Sequence, residues 1–397
     1  MRLITGGRYN CALILSRTVC VAIAALSMVL IDQPVRASII RGYDVGDIAV
    51  GTVAHQVPAI NNLGKVSFLG GGGVQMWDGS TVVQLPTPGV TGFKLNTAIN
   101  DSGVVAFMTG LAVYTTRAGG SLVTVANGSS LPAGTIVNSP AINNAGSVAF
   151  TGGAYGFTSG TIYLYQWSGS GNPTQLGSLG TYDLSEMTPR PSINSSGTIV
   201  ITGRNIGGQK TGVYLASSAG LSPVITSNTF GNAFGDAAIN ANGVMAVSKA
   251  TLSGTDQLLV GTGPLSVYSD STGPFSTFRD ETGYSEGNVS INTSGNLAFL
   301  AYTKPYNGFA SGGIFTGADP TNSAVVRAGD PLDGSTISEL DFGPFGMNDN
   351  GQITFWAKLA DGRTGIYLAN PTPEPGMLGG VATLLFMLVR PRCHPSR

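Results

Sequence analysis

An all-β ring of seven four-stranded blades, a β-propeller, is what the sequence predicts, and three observations predict it. A short motif occurs seven times: AINNLGKVSF, AINDSGVVAF, AINNAGSVAF, SINSSGTIVI, AINANGVMAV, SINTSGNLAF and GMNDNGQITF. Its asparagines are spaced by 39, 43, 51, 46, 52 and 56 residues, the period of propeller blades rather than of ankyrin or leucine-rich repeats. Helical periodicity is absent between the copies, and 58 glycines and 21 prolines fit many short strands.

The chain divides into three parts. Residues 1–37 read as a secretory signal. Arg2, Arg8 and Arg17 supply the positive start, Val19 to Leu30 is uncharged and apolar, and Val35-Arg36-Ala37 offers small residues at a cleavage position before Ser38. A retained N-terminal anchor is the second reading. Residues 38–370 are the repeat domain. Residues 371–397 combine Pro373-Glu374-Pro375, an uncharged run ending at Val389 and a tail with Arg390, Arg392 and Arg397. As a helix the apolar residues Met377–Val389 would reach about 20 Å, short of a bilayer core of roughly 30 Å. That length suits transient membrane insertion, with the arginines held on the cytoplasmic side.

Each copy is read as a strand end, a hairpin turn and a second strand. The motif asparagines are Asn61, Asn100, Asn143, Asn194, Asn240, Asn292 and Asn348, and the glycines three positions on are Gly64, Gly103, Gly146, Gly197, Gly243, Gly295 and Gly351. Asparagine opens a turn by bonding its side chain to backbone N–H groups ahead of it, and glycine accepts the left-handed conformation that closes a type I turn with a bulge. These fourteen residues are therefore assigned to structure. The strand after the turn alternates, as Val148 and Phe150 or Val105 and Phe107 show, which predicts a half-buried strand. Thr161–Trp167, Thr211–Ser217, Gly312–Ala318 and Thr364–Asn370 supply third strands, and segments from Ser121, Ser222 and Ala324 supply fourth strands. The seventh copy runs straight into the C-terminal segment and lacks a fourth strand. SIIRGYDVGD from Ser38 is similar to AVVRAGDPLD from Ala324, so Ile39–Tyr43 is expected to complete the last blade.

Composition narrows the function. Seven of the 20 Lys and Arg and two of the 21 Asp and Glu lie in the end segments, which leaves a mildly acidic domain and argues against nucleic acid. Cys11, Cys20 and Cys393 also lie there, so the domain has no disulfide and no thiol chemistry. His55 is its single histidine, read as a surface residue at a strand end; histidine metal sites and Ser/His triads are nearly excluded. No catalytic residue, metal ligand or cofactor is assigned. Asn348–Gly351 lacks the acidic ligands of a calcium loop, and Asp330 and Asp333 read as turn residues. Asp280, Glu281 and Glu286 form the densest acidic cluster, a solvated loop or a glycosidase pair. Gly70–Gly73, without a following lysine, is a flexible connection. Trp77, Trp167, Trp356, Tyr155 and Phe157 either stack on sugars or pack between blades, packing being preferred.

The C-terminal segment resembles the PEP-CTERM sorting signal of Gram-negative bacteria, with a basic cluster diluted by Cys393, His394 and Pro395. The repeats resemble the bacterial NxxGxxxAF tandem-repeat proteins, with Ile201 and Val247 departing from the motif phenylalanine. The resemblance implies export, recognition of Pro373, Glu374 and Pro375 by an exosortase-like processing enzyme, and removal of the segment behind them. It implies a noncatalytic role at the cell surface or in an extracellular matrix, with exopolysaccharide or surface proteins as partners. A carbohydrate-active hydrolase or lyase is the alternative, and a passive filler of the biofilm matrix a third reading.

Overall fold

The computed structural model describes residues 38–40, 43–88, 96–109, 111–132, 135–154, 159–183, 189–204, 211–228, 233–251, 254–278 and 289–372. The end segments, including Pro373-Glu374-Pro375 and the apolar run Met377–Val389, lie outside the described residues, as do Tyr155, Phe157, Asp280, Glu281 and Glu286. Ser38–Pro371 form one compact unit. Among the described residues no helix is long and apolar enough to cross a membrane.

The unit is a seven-bladed β-propeller. Each antiparallel sheet holds one motif copy, and its second strand starts just after the motif glycine: Val66–Gly70, Val105–Thr109, Val148–Ala154, Ile199–Arg204, Met245–Ala250, Leu297–Thr303 and Ile353–Leu359. The inner strands are short. Ala59–Ile60, Ala98–Ile99, Ser192–Ile193 and Ala238–Ile239 have two residues each, and Thr135–Ile142 shifts register between Asn138 and Ala141.

Seven apolar clusters hold the ring together, and each spans two neighbouring blades. Val74, Ile99 and Phe107 join the first two blades, and Val113, Val137 and Phe150 join the second and third. The seventh cluster closes the circle, with Ile60, Val66 and Phe68 of the first blade against Trp356, Ile366 and Leu368 of the last. Sheets packed on both faces correct one expectation from sequence. The second strands are not half-buried: Val148, Ala149 and Phe150 are all fully buried, as are Val105, Ala106 and Phe107. The alternation is of large and small side chains, because both faces of the strand meet a neighbouring blade. Ile201 and Val247 occupy the phenylalanine position and are equally buried.

Closure comes from the N-terminal side, with a register different from the expected one. Tyr43–Gly51 pairs antiparallel with Thr364–Pro371, from Tyr43 opposite Pro371 to Gly51 opposite Thr364. Ser38–Ile40 folds back onto residues 43–45 as an extra outer strand. The reason is where the apolar side chains fall. Val45 is fully buried in the cluster between the last two blades, and Ile48 and Ala49 pack on the closing cluster. The Gly70–Gly73 run is likewise not a flexible connection: Gly70 pairs with Gly73, and Gly71 and Gly72 make a two-residue hairpin turn at φ 34° and 116°.

Candidate functional site

The motif turns crowd around the axis on one side of the ring. In the first copy the N–H of Asn61 donates to the carbonyl of Lys65, and the N–H of Gly64 donates back to the carbonyl of Asn61, both at 3.0 Å. Gly64 has φ 75°, which a residue with a Cβ reaches only with strain. The Asn61 Oδ1 accepts from the N–H groups of Leu63 (3.1 Å) and Lys65 (2.9 Å). Its Nδ2 reaches out of the turn and donates to the carbonyl of Asn100 in the next blade at 2.9 Å.

The same step repeats at five further copies. Asn100 donates to Asn143, Asn143 to Asn194, Asn194 to Asn240 and Asn240 to Asn292, at 2.8–3.3 Å. Asn348 donates to the carbonyl of Asn61 at 2.9 Å, so the last blade bonds to the first. Only a primary amide of this length offers two acceptor lone pairs inward and a donor outward from one planar group. Sequence reasoning assigned these residues to turns alone and missed the link between blades. A signal was present: asparagine stands at this position in all seven copies, whereas the next position varies among Asn, Asp, Ser, Ala and Thr. Where that next residue is Asn or Asp, its side chain caps the preceding blade. Asp101 Oδ1 accepts from Asn62 N–H, Asn144 from Asp101, Asp349 from Thr293 and Asn62 from Asp349, at 2.7–2.9 Å. Asn348 and Asp349 are thus engaged with backbone groups.

The opposite side of the ring carries the candidate site. The chain enters each inner strand there, and the residues just before those strands meet at the axis. Phe345 packs against the clusters of the first four blades, and its carbonyl accepts from Ile60 N–H at 2.9 Å. Around it, Val57, Pro58, Asn96, Thr97, Pro140, Arg190, Gly343 and Pro344 line a cavity of about 10 Å³.

Arg190 is the charged group of this mouth. Its side chain and that of Asp236 are 10% and 11% exposed, with Nε 3.4 Å from Asp236 Oδ2. The Arg190 N–H donates to Asp236 Oδ1 at 3.0 Å. With the Asn96 amide oriented to satisfy both partners, its oxygen accepts from Arg190 Nε (3.1 Å) and Nη2 (2.8 Å). Arg190 Nη1 is buried and has no hydrogen-bond partner among the described residues.

Burial pushes the Asp236 carboxyl above the usual carboxylate range, against the opposing pull of Arg190 and its N–H. A carboxyl that holds its proton more tightly folded than unfolded stabilises the fold fully below the unfolded value, about 3.9. That contribution is lost as pH rises through the folded value. The melting temperature of D236N should therefore rise relative to wild type between pH 3.5 and 7 in a calorimetric series. A difference that does not change with pH would contradict the assignment.

A second pair lies on the same side, in the segment leading to Val57. His55 Nε2 is 3.0 Å from Oδ2 of Asp341, whose side chain is 7% exposed. The imidazole meets Trp356 edge-on at 4.6 Å. His55 is thus a partly exposed residue held by a buried carboxylate, more engaged than its strand-end position suggested. The three tryptophans pack between strands and blades: Trp356 and Trp167 are 3% and 8% exposed, and half-buried Trp77 packs on the closing cluster. Asp330 accepts from Arg327 N–H at 2.7 Å, and Asp333 accepts from Arg363 Nη1 at 2.6 Å.

Residues 88–378 match the model of a family described as a family of unknown function, DUF7453. The chain belongs to this family. The DUF7453 match takes in the second to seventh blades and leaves out the first blade and the closing strand. No curated protein matches the sequence. Among solved structures, the chain is similar to the polysaccharide lyase PL25 ulvan lyase bound to -[GlcA(1-4)Rha3S]-, at 11% identity over 84% of this chain and 98% of that one, TM-score 0.47. It is similar to BBS1N in complex with ARL6DN, at 12% identity over 85% and 99%, TM-score 0.44. It is also similar to a gluconolactonase from Xanthomonas campestris, at 14% identity over 70% and 85%, TM-score 0.36.

Proposed function

We propose that this chain is an exported, noncatalytic surface or matrix protein whose propeller binds glycan at the axial mouth. One observation carries the reading. At the axis, where a ring of blades converges its inner residues, Pro344 and Phe345 line a cavity of about 10 Å³, which has room for roughly one water-sized group. Such a mouth takes hold of one projecting group and does not enclose a sugar ring. Export and sorting are supported by the sequence of residues 1–37 and by Pro373-Glu374-Pro375 with the apolar run and arginines behind it. The processing partner is accordingly an exosortase-like enzyme.

The test is a glycan array probed with the full chain, run beside a reducing-end release assay on the same polysaccharides. Retention on a subset of glycans without release of ends is expected. No retention on any glycan would overturn the reading.

The His55–Asp341 pair favours a second reading, a carbohydrate-active hydrolase or lyase. An imidazole oriented by a buried carboxylate is the arrangement of a general base. Release of ends that is lost in H55A would establish it in place of the first.

A further inference from the structure

Four Asn-Gly pairs stand in the chain, and the fold treats them differently. Asparagine before glycine is the pair in which a side-chain amide is most open to attack by the next backbone nitrogen, because glycine brings no side chain to block it. The attack needs a free nitrogen at the glycine, donors that meet the growing charge on the side-chain oxygen, and an amide nitrogen free to leave. In Asn242-Gly243 and Asn350-Gly351 the glycine N–H is spent inside the motif turn, on the carbonyls of Asn240 at 3.0 Å and Asn348 at 3.1 Å. Their Nδ2 atoms are held too, donating to the carbonyls of Thr293 and Asn62 at 2.9 Å. In Asn307-Gly308 the glycine N–H makes no hydrogen bond among the described residues, but no donor among them meets the Asn307 Oδ1 either.

Asn127-Gly128 meets all three conditions. It lies on the mouth side of the ring, where Val123–Ala126 hands over to the third blade. The Asn127 Oδ1 accepts from Ser129 N–H at 3.0 Å, from Ser129 Oγ at 2.6 Å and from Ser130 N–H at 3.3 Å. Among the described residues neither Asn127 Nδ2 nor the Gly128 N–H has an acceptor. Gly128 is exposed, and a Cβ placed on it would meet nothing within 4 Å, so a new ring has room. Ser130 Oγ accepts from Asn127 N–H at 2.9 Å and donates to the Asn127 carbonyl at 3.1 Å, which holds the asparagine backbone in place.

We propose that Asn127 is a self-modification site, at which the Gly128 nitrogen attacks the side-chain amide while Ser129 and Ser130 donate to the oxyanion. The Gly128 nitrogen bonds to Cγ and gives up its proton. The Cγ–Nδ2 bond breaks, and ammonia leaves with that proton. Water then opens the five-membered succinimide. Attack at Cγ leaves aspartate, and attack at the main-chain carbonyl leaves isoaspartate, whose chain runs on through Cβ and Cγ. Ammonia is the one group lost and water the one reagent. Either product places a carboxylate on the mouth side where a neutral amide stood. This chemistry does not depend on what the propeller binds.

The experiment is incubation of the full chain at neutral pH, followed by proteolytic mapping for the gain of one dalton at each Asn-Gly pair. A parallel sample is held unfolded in urea. In the folded chain Asn127 should convert at least about tenfold faster than Asn242 and Asn350, and several-fold faster than Asn307. In urea the spread among the four should collapse. Ser129→Ala removes the closest donor from an exposed position and should slow Asn127 about fivefold while leaving Asn307 unchanged. Gly128→Ala, which the open space tolerates, should slow it further. Equal folded rates at Asn127 and Asn307, the same spread in urea, or an unchanged rate in either variant would each overturn the proposal.

Discussion

Deleting residues 38–51 should leave a chain with no cooperative melting transition near physiological temperature. The strand Tyr43–Gly51 contributes eight paired positions to Thr364–Pro371, and Val45, Ile48 and Ala49 supply side chains to two of the seven inter-blade clusters. At about 1 kcal/mol net per hydrogen bond and about 1–2 kcal/mol per buried apolar side chain, the loss is on the order of 12 kcal/mol. That is comparable with the whole stability of an ordinary domain. An open ring also exposes the edge of Thr364–Pro371, a template for association, so size-exclusion chromatography should show oligomers beside the flat melting curve. The control is deletion of Ser38–Ile40 alone, which removes three paired positions at the outermost edge and should lower the melting temperature by only a few degrees. A sharp, unshifted transition in the longer deletion would show that the ring does not depend on its N-terminal strand.

Replacing a motif asparagine should cost far more than replacing an exposed turn residue. Asn61 is 3% exposed and makes three side-chain hydrogen bonds, two to its own turn and one to the next blade. Asn61→Ala should cost about 3 kcal/mol, a fall in melting temperature of roughly 5 °C, since each bond is worth about 1 kcal/mol and the partners stay buried. Ser195→Ala, at an exposed turn position, should change stability by less than about 0.5 kcal/mol. Asn61→Asp separates the two jobs of the amide. The carboxylate still accepts from Leu63 and Lys65 but meets the Asn100 carbonyl with an oxygen instead of a donor. Protonation restores a donor, so the introduced carboxyl holds its proton more tightly in the folded state. Its stabilisation should be greatest below the unfolded value of about 3.9 and fade as pH rises. Thermal melts of the two variants at pH 3.5 and 7 check this, and a pH-independent gap between them would exclude the link to the next blade.

What was legible in the sequence was local. The motif turn is set within five residues, by an asparagine that bonds its own backbone and a glycine that takes a positive φ. Seven such turns at blade-length spacing point to one architecture. The closing register was not legible, because it joins residues 43–51 to residues 364–371, more than 300 positions apart. Likeness to the segment from Ala324 pointed to Ile39–Tyr43, whereas burial of Val45 selected the next strand along. The alternation of the second strands was visible, but its meaning depended on a neighbour on each face. Arg190, Asp236 and Asn96 come from three blades, and no spacing between them suggests a site. Their common address was nonetheless present: each stands four residues before a motif asparagine, at Asn194, Asn240 and Asn100. In a ring, that offset is the one that turns toward the axis.

The amide bond between the last blade and the first also acts as a check on completeness. The carbonyl of Asn61 waits for a donor that stands 287 residues later in the chain, on Asn348. A product that stops early keeps that acceptor unmet and the flank of its first sheet uncovered.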